Sequence, residues 1–186
     1  MTQQIAFLRA INVGGRNVSV EALRAHFEAL GLANVETFIA SGNVIFTAPA
    51  KKLPTLAPAI EKHLHTVLGY EVYAFIRSMR EVAAIAAGYQ PLPVAQLEAA
   101  GALTFLAEPM SAEAQKTLMG LKTDIDDFHV LGREVYWLCR NKQSESTFSN
   151  ALFETKLNVQ ATFRGRPVND KTSLQPTQNM RKQLFF

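Results

Sequence analysis

The stretch Val35-Glu36-Thr37-Phe38-Ile39-Ala40-Ser41-Gly42-Asn43-Val44-Ile45-Phe46-Thr47 reads as a β-hairpin. Val35 to Ala40 and Val44 to Thr47 are β-prone, and between them Gly42-Asn43 supplies residues that accept the positive φ of a tight turn. What flanks the hairpin decides how it is used. Upstream, Val20, Leu23, Phe27 and Leu30 recur at spacings of three and four, Ser19 stands where a helix is capped, and Gly31 suits the left-handed position past its end. Downstream, Leu56, Ile60, Leu64 and Leu68 stripe a second helix over 53–68 that stops at Gly69. Pro54 and Pro58 are best tolerated in a first turn, which draws the start of this helix toward Pro58. Further out, the apolar run Ile5 to Ile11 and the alternating run Tyr70 to Ile76 read as strands. The order is β-α-β-β-α-β, the ferredoxin-like arrangement, with helices expected over one face of the sheet.

The rest of the chain runs through the same order of elements. Ser78 and Glu81 form a capping box for a third helix that ends at Gly88. A strand follows at Ala102 to Leu106, then a helix capped by Ser111. A hairpin of Phe128 to Leu131 and Glu134 to Leu138 turns at Gly132-Arg133, a helix runs near Phe148 to Leu157, and Val159 to Phe163 is the last strand. The fold class expected is α+β, with two ferredoxin-like (β-α-β-β-α-β) subdomains in one compact unit. Residues 1–88 make the first subdomain with its following helix and 89–101, with Pro91, Pro93 and Gly101, the connection. Residues 102–164 make the second subdomain and 165–186 a basic tail.

Composition narrows the class. At 186 residues, with 48% hydrophobic and 19% charged residues, the chain buries roughly two-thirds of its unfolded surface without disulfide staples and is neither disordered nor collagen-like. The single cysteine, Cys139, lies in an apolar run and is expected to be a packed residue. His26, His63, His65 and His129 show no zinc-ligand spacing beside it, so no structural metal and no cofactor are expected. The run Ile5 to Val13, broken by Arg9, is too short for a signal core or a membrane span, and a cytoplasmic location is expected. Charge is uneven: residues 133–186 carry nine Lys/Arg against four Asp/Glu, a net +5, while residues 1–132 net −2.

Chemistry is concentrated in the loop after the first strand. Gly14-Gly15, between strand and helix, lets backbone N–H groups approach an anion, with Arg16 adding positive potential. The string is neither a Walker motif nor a complete G-x-G-x-x-G, and the plainer reading is a sharp turn in which Asn12 and Asn17 bond local backbone. Arg9 shares a strand face with Phe7 and Ile11, opposite Ala6, Leu8 and Ala10. That face has three open roles, ligand contact, packing against the other subdomain, or a dimer interface, and for Arg9 itself a structural ion pair stands beside a ligand contact. Ser41 and Asn43 join the site only if the hairpin turn lies at the same end of the sheet as the glycine loop. Asp124, Asp126 and Asp127 lack calcium-loop spacing and read as a solvated loop. Phe7 and Phe46 fall on inner strands, as the base-stacking aromatics of RNA-binding domains do, but no basic-aromatic RNP pattern accompanies them.

Leu8-Arg9-Ala10-Ile11-Asn12-Val13-Gly14-Gly15-Arg16-Asn17 and Ser41-Gly42-Asn43-Val44-Ile45-Phe46, in that order, resemble the bacterial family known as domain of unknown function 1697 (DUF1697). Gly132-Arg133-Glu134-Val135-Tyr136 and Asn150-Ala151-Leu152-Phe153-Glu154-Thr155-Lys156-Leu157 look like its later segments, so the resemblance spans most of residues 1–164. It implies an α+β protein of two related subdomains and no established activity. The chain departs from the family's pattern at Ala10, where glycine is usual. It departs again at Ser146-Thr147, where the family has Ser-Lys, and after Arg164, where Gly165-Arg166-Pro167 replaces Asn-Trp and a helix. Enzyme or not, the first expectation is recognition of a small phosphate- or carboxylate-bearing ligand by Arg9, Asn12, Gly14, Gly15, Arg16, Asn17, Ser41 and Asn43. The alternatives are a nucleic-acid-binding module using Arg164, Arg166, Lys171, Arg181 and Lys182, or a structural, dimer-forming domain. No membrane partner is expected, and the oligomeric state is left open.

Overall fold

The computed structural model describes residues 1–38, 42–88 and 101–165. The chain divides into two units, Met1–Val82 and Ala83–Phe186. In the first, β1 (Thr2–Arg9), α1 (Val20–Ala29), β2 (Ala33–Phe38), β3 (Asn43–Ala48), α2 (Leu53–Leu68) and β4 (Tyr73–Ser78) follow one another, and α3 (Met79–Gly88) begins at its end. The second holds β5 (Gly101–Leu106), α4 (Ala112–Met119), β6 (Asp126–Leu131), β7 (Glu134–Cys139), α5 (Asn150–Leu157) and β8 (Ala161–Gly165). The sheet orders are β2-β3-β1-β4 and β6-β7-β5-β8, antiparallel throughout. In each, the first and third strands are central and the second and fourth are edges, so the repetition of elements in the sequence is a repetition of ferredoxin-like topology.

Local chemistry explains most boundaries. Ser19 accepts from the Ala22 N–H, Ser111 from Ala114 and Ser149 from Leu152, each capping its helix. The Ser78–Glu81 box is complete: Ser78 N–H and Oγ–H both donate to Glu81 Oε2 at 2.7 and 2.8 Å, and Glu81 N–H returns to Ser78 Oγ at 3.2 Å. Three expectations shift. Helix α2 begins at Leu53 with Pro54 in its first turn, so Pro58 lies inside it, where only the Pro54 carbonyl loses a donor. Strand β1 runs from Thr2 and stops at Arg9 rather than Ile11, because Ala10 takes a left-handed φ of +67° that a strand does not admit. Of the pair Gly42-Asn43, only Gly42 has positive φ; Asn43 already belongs to β3.

The first core lies between one sheet face and α1 and α2. It gathers Ala6, Leu8, Val44, Phe46 and Ala74 from the strands with Leu23, Phe27, Leu56, Ile60 and Leu64 from the helices. The opposite face carries Ile5, Phe7, Ile45, Phe75 and Arg77, and these too are buried. The second core is more aromatic. Phe148 packs against Phe128 at 4.6 Å and Trp137 at 4.9 Å between ring centres, and Phe153 meets Phe163 edge-on at 5.3 Å.

Candidate functional site

The glycine loop is built by two consecutive left-handed residues. Gly14 (φ +64°) and Gly15 (φ +82°) are the central pair of a turn closed by the Arg16 N–H on the Val13 carbonyl at 3.2 Å. Positive φ at both central positions is the mark of the type I′ class, which glycine enters without steric cost. A methyl group at either position would meet nothing within 4 Å, so the requirement is one of dihedral angle rather than space. Val13 through Asn17 are exposed.

Beneath the turn the loop is tied down. Asn12 Oδ1 accepts the Val18 N–H at 2.8 Å, closing the loop across its base, and the Tyr70 hydroxyl donates to the Ile11 carbonyl at 2.8 Å. The hairpin end meets the same place, because β1 and β3 pair antiparallel with Phe7 opposite Asn43. Leu8 N–H donates to the Gly42 carbonyl at 2.9 Å, and a methyl group on Gly42 would fall 2.5 Å from Ile11 Cγ2. Gly42 is therefore set both by its φ and by close approach to the loop.

Two cations stand at this end of the sheet, one over Tyr70 in the turn between α2 and β4 and one over Tyr73, the first residue of β4. The Arg16 guanidinium carbon lies 4.2 Å from the Tyr70 ring centre, and that of Arg9 lies 5.6 Å from Tyr73, its register partner in β4. The Tyr73 hydroxyl in turn donates to Glu71 at 3.0 Å. Among the described residues Arg16 has no carboxylate partner. Of the expected site, Arg9, Asn12, Gly14, Gly15 and Arg16 are thus assembled at one end of one sheet, and Asn17 is on the exposed turn. Asn43 is fully buried at the head of β3, beneath this end rather than on its surface, and Ser41 lies outside the described residues. Tyr70 and Tyr73 did not stand out in the sequence, where both read only as part of a strand over Tyr70 to Ile76; the strand is in fact Tyr73–Ser78, and Tyr70 belongs to the turn that precedes it.

Other expectations are corrected. Arg9, as the last residue of β1, is partly covered, while Arg77 on β4 is buried with its Nη1 donating to the Ile76 carbonyl at 2.9 Å. Phe7 and Phe46 are both fully buried, on opposite faces, so neither offers a ring to a base. The acidic cluster is a solvated loop only at Asp124, which is exposed; Asp126 and Asp127 belong to β6. Asp126 is buried, with its carboxyl accepting from Trp137 Nε1 at 2.8 Å, from Ser146 Oγ at 2.8 and 2.9 Å, and from Thr123 Oγ1 at 2.9 Å. Cys139 is packed as expected, and burial is the main cause that pushes its thiol pKa up, away from nucleophilic character. Arg164 donates to Thr162 Oγ1 at 2.7 Å and to the Phe163 carbonyl at 3.0 Å, and burial brings its pKa down to about 10. Arg166, Lys171, Arg181 and Lys182 lie outside the described residues. No helix among the described residues is long and apolar enough to cross a membrane.

Comparison with known proteins adds a fold and a family. The solved structure of a conserved bacterial protein, SP0830 from Streptococcus pneumoniae, superposes with a TM-score of 0.58 at 22% identity, covering 88% of this chain and 92% of that one. This is a likeness of fold. No curated protein matches the chain. The family model described as "Protein of unknown function (DUF1697)" matches residues 1–136, more than half of the sequence and all of the first unit. The chain belongs to the DUF1697 family, whose biochemical function is not established.

Proposed function

We propose that the first unit binds a small anionic ligand, bearing phosphate or carboxylate, at the Gly14-Gly15 turn, with Arg16 and Arg9 supplying the charge. The observation that carries this is the exposed Arg16 guanidinium held over the Tyr70 ring while Tyr70 anchors the same loop through the Ile11 carbonyl. A guanidinium already steadied on an aromatic face gives up less freedom when its N–H fork closes on an oxyanion. The N–H groups of an exposed glycine turn add donors that no side chain shields. The N-terminus of α1 is a poorer contributor, since Ser19 already occupies the Ala22 N–H. With Cys139 as the single, buried cysteine, the same reading goes with a cytoplasmic setting.

The test is thermal unfolding of the full chain against inorganic phosphate, nucleotides, sugar phosphates, carboxylates and short oligonucleotides, at low and moderate salt. A ligand at a hundredfold excess over its Kd stabilises the native state by about 2.7 kcal/mol, roughly 5 to 10 °C for a chain of this size. One small anion is expected to give such a shift, tolerant of moderate salt, and Arg16→Glu is expected to abolish it with little change in the ligand-free melting temperature. Equal affinity in Arg16→Glu would remove the loop from the argument. A shift with oligonucleotides alone that vanishes in salt would favour the basic C-terminal segment instead.

A further inference from the structure

A pair of imidazoles faces one another between α1 and α2 of the first unit. His26 on α1 precedes the buried Phe27, and His63 on α2 precedes the buried Leu64, so each imidazole flanks its helix's apolar stripe. Their ring centres are 5.5 Å apart and the planes meet at 65°. Neither makes a side-chain hydrogen bond among the described residues, and His63 Nε2 is buried with no partner. A buried ring nitrogen left unsatisfied is costly, and a bound ion or water is one of the ways such a group is satisfied.

We propose that His26 and His63 together chelate a late first-row divalent cation, pinning α1 to α2. Two imidazoles bound at the usual Zn–N distance of about 2.0–2.1 Å in tetrahedral geometry have ring centres roughly 5 to 6 Å apart, a range that includes the separation of this pair. Among the described residues no third His, Cys, Asp or Glu joins the pair, so water fills the remaining positions. The site is therefore an exchangeable one, unlike the closed four-ligand sites that hold structural zinc. Nitrogen ligands select copper, nickel and zinc over magnesium, calcium and manganese. The assignment is independent of the anion site and stands or falls separately.

The experiment uses the untagged full chain, freed of metal and melted in the presence of nickel, zinc, manganese or magnesium chloride. Nickel and zinc are expected to raise the melting temperature by about 5 °C or more at large excess, with manganese weaker and magnesium without effect. The rise is expected to disappear in His26→Gln and in His63→Gln and to persist in His65→Gln, whose imidazole is exposed on α2. Electron paramagnetic resonance of the Cu2+-loaded protein reads the ligands without reference to stability: two imidazole nitrogens in the wild type, one in either single variant. No shift with nickel or zinc, a shift that survives His26→Gln or His63→Gln, or a copper spectrum unchanged by both would overturn the proposal.

Discussion

In the first unit the chain takes residues 10–19 to pass from β1 to α1; in the second it takes residues 107–111 to pass from β5 to α4. The topology is the same and the connection is not. The longer one carries the Gly14-Gly15 turn, Arg16 and the Asn12 tie, while the shorter runs through Pro109 and the buried Met110 to the Ser111 cap. The units also differ inside. The first core is largely aliphatic, whereas the second centres on Trp137, Phe128, Phe148 and Phe153 with the buried Asp126 held among hydroxyl and indole donors. One copy of the topology has kept an elaborated surface loop and the other an elaborated interior. Loops over a rigid scaffold are where binding groups collect, and fully satisfied polar networks are where a unique core is specified.

That contrast is most directly broken in the second interior. Asp126→Ala leaves Trp137 Nε1 and the Ser146 and Thr123 hydroxyls without their acceptor and is expected to cost about 3 kcal/mol or more in urea unfolding. A loss under about 1 kcal/mol would mean the network contributes nothing that the aromatic packing does not. Next comes a pair of glycine substitutions in the first unit. Gly42→Ala combines left-handed strain with a clash at Ile11 and is expected to cost about 2 to 4 kcal/mol, whereas Gly14→Ala carries the dihedral cost alone, about 1 kcal/mol. Equal losses would show that the hairpin and the loop are not fitted to one another.

Ala10→Gly should act in the opposite direction. It relieves a left-handed alanine at φ +67° while loosening the unfolded chain, for a net gain of about 0.5 kcal/mol measurable by chemical denaturation. The smallest effect concerns Asp127 in the second unit. Burial, the largest single influence, raises its pKa, but it is outweighed by the hydrogen bond from Lys122, the Phe128 N–H and the charges of Lys122 and His129, and the net shift is downward. A carboxyl depressed in the folded state lends stability that is fully present above its ordinary value of 3.8 and lost as pH falls through its folded pKa. Lys122→Met is therefore expected to lower the melting temperature slightly at neutral pH, with the difference from the wild type closing as pH falls below about 4, so that the acid limb of the profile is flatter.

The elements themselves were legible because their signals are local. Ser19, Ser78 and Ser111 mark helix starts by their own hydroxyls, and Gly31, Gly69 and Gly132 take left-handed φ where the pattern breaks off. The end of β1 was misplaced because Ala10 gives no local sign of the left-handed turn it makes. Asp126 was misread for a similar reason. Three acids within four residues look like a solvated loop until the partners that bury one of them are known, and Trp137 and Ser146 come eleven and twenty residues later. Tyr73 became part of the candidate site only when strand register set it beside Arg9, and Tyr70 only when its hydroxyl was seen to reach the Ile11 carbonyl.

Sequence alone therefore determined the order and kind of the elements, the internal repetition, the glycine turn and the family, since each is written in neighbours along the chain. Only the tertiary structure decided that Gly42 abuts Ile11, that Arg77 is buried while Arg9 is partly open, and that His26 and His63, thirty-seven positions apart, share one helix seam. The physical reason is that capping, turn formation and amphipathic period act over a few residues, whereas proximity across strands and helices is set by register and packing, which no short stretch encodes.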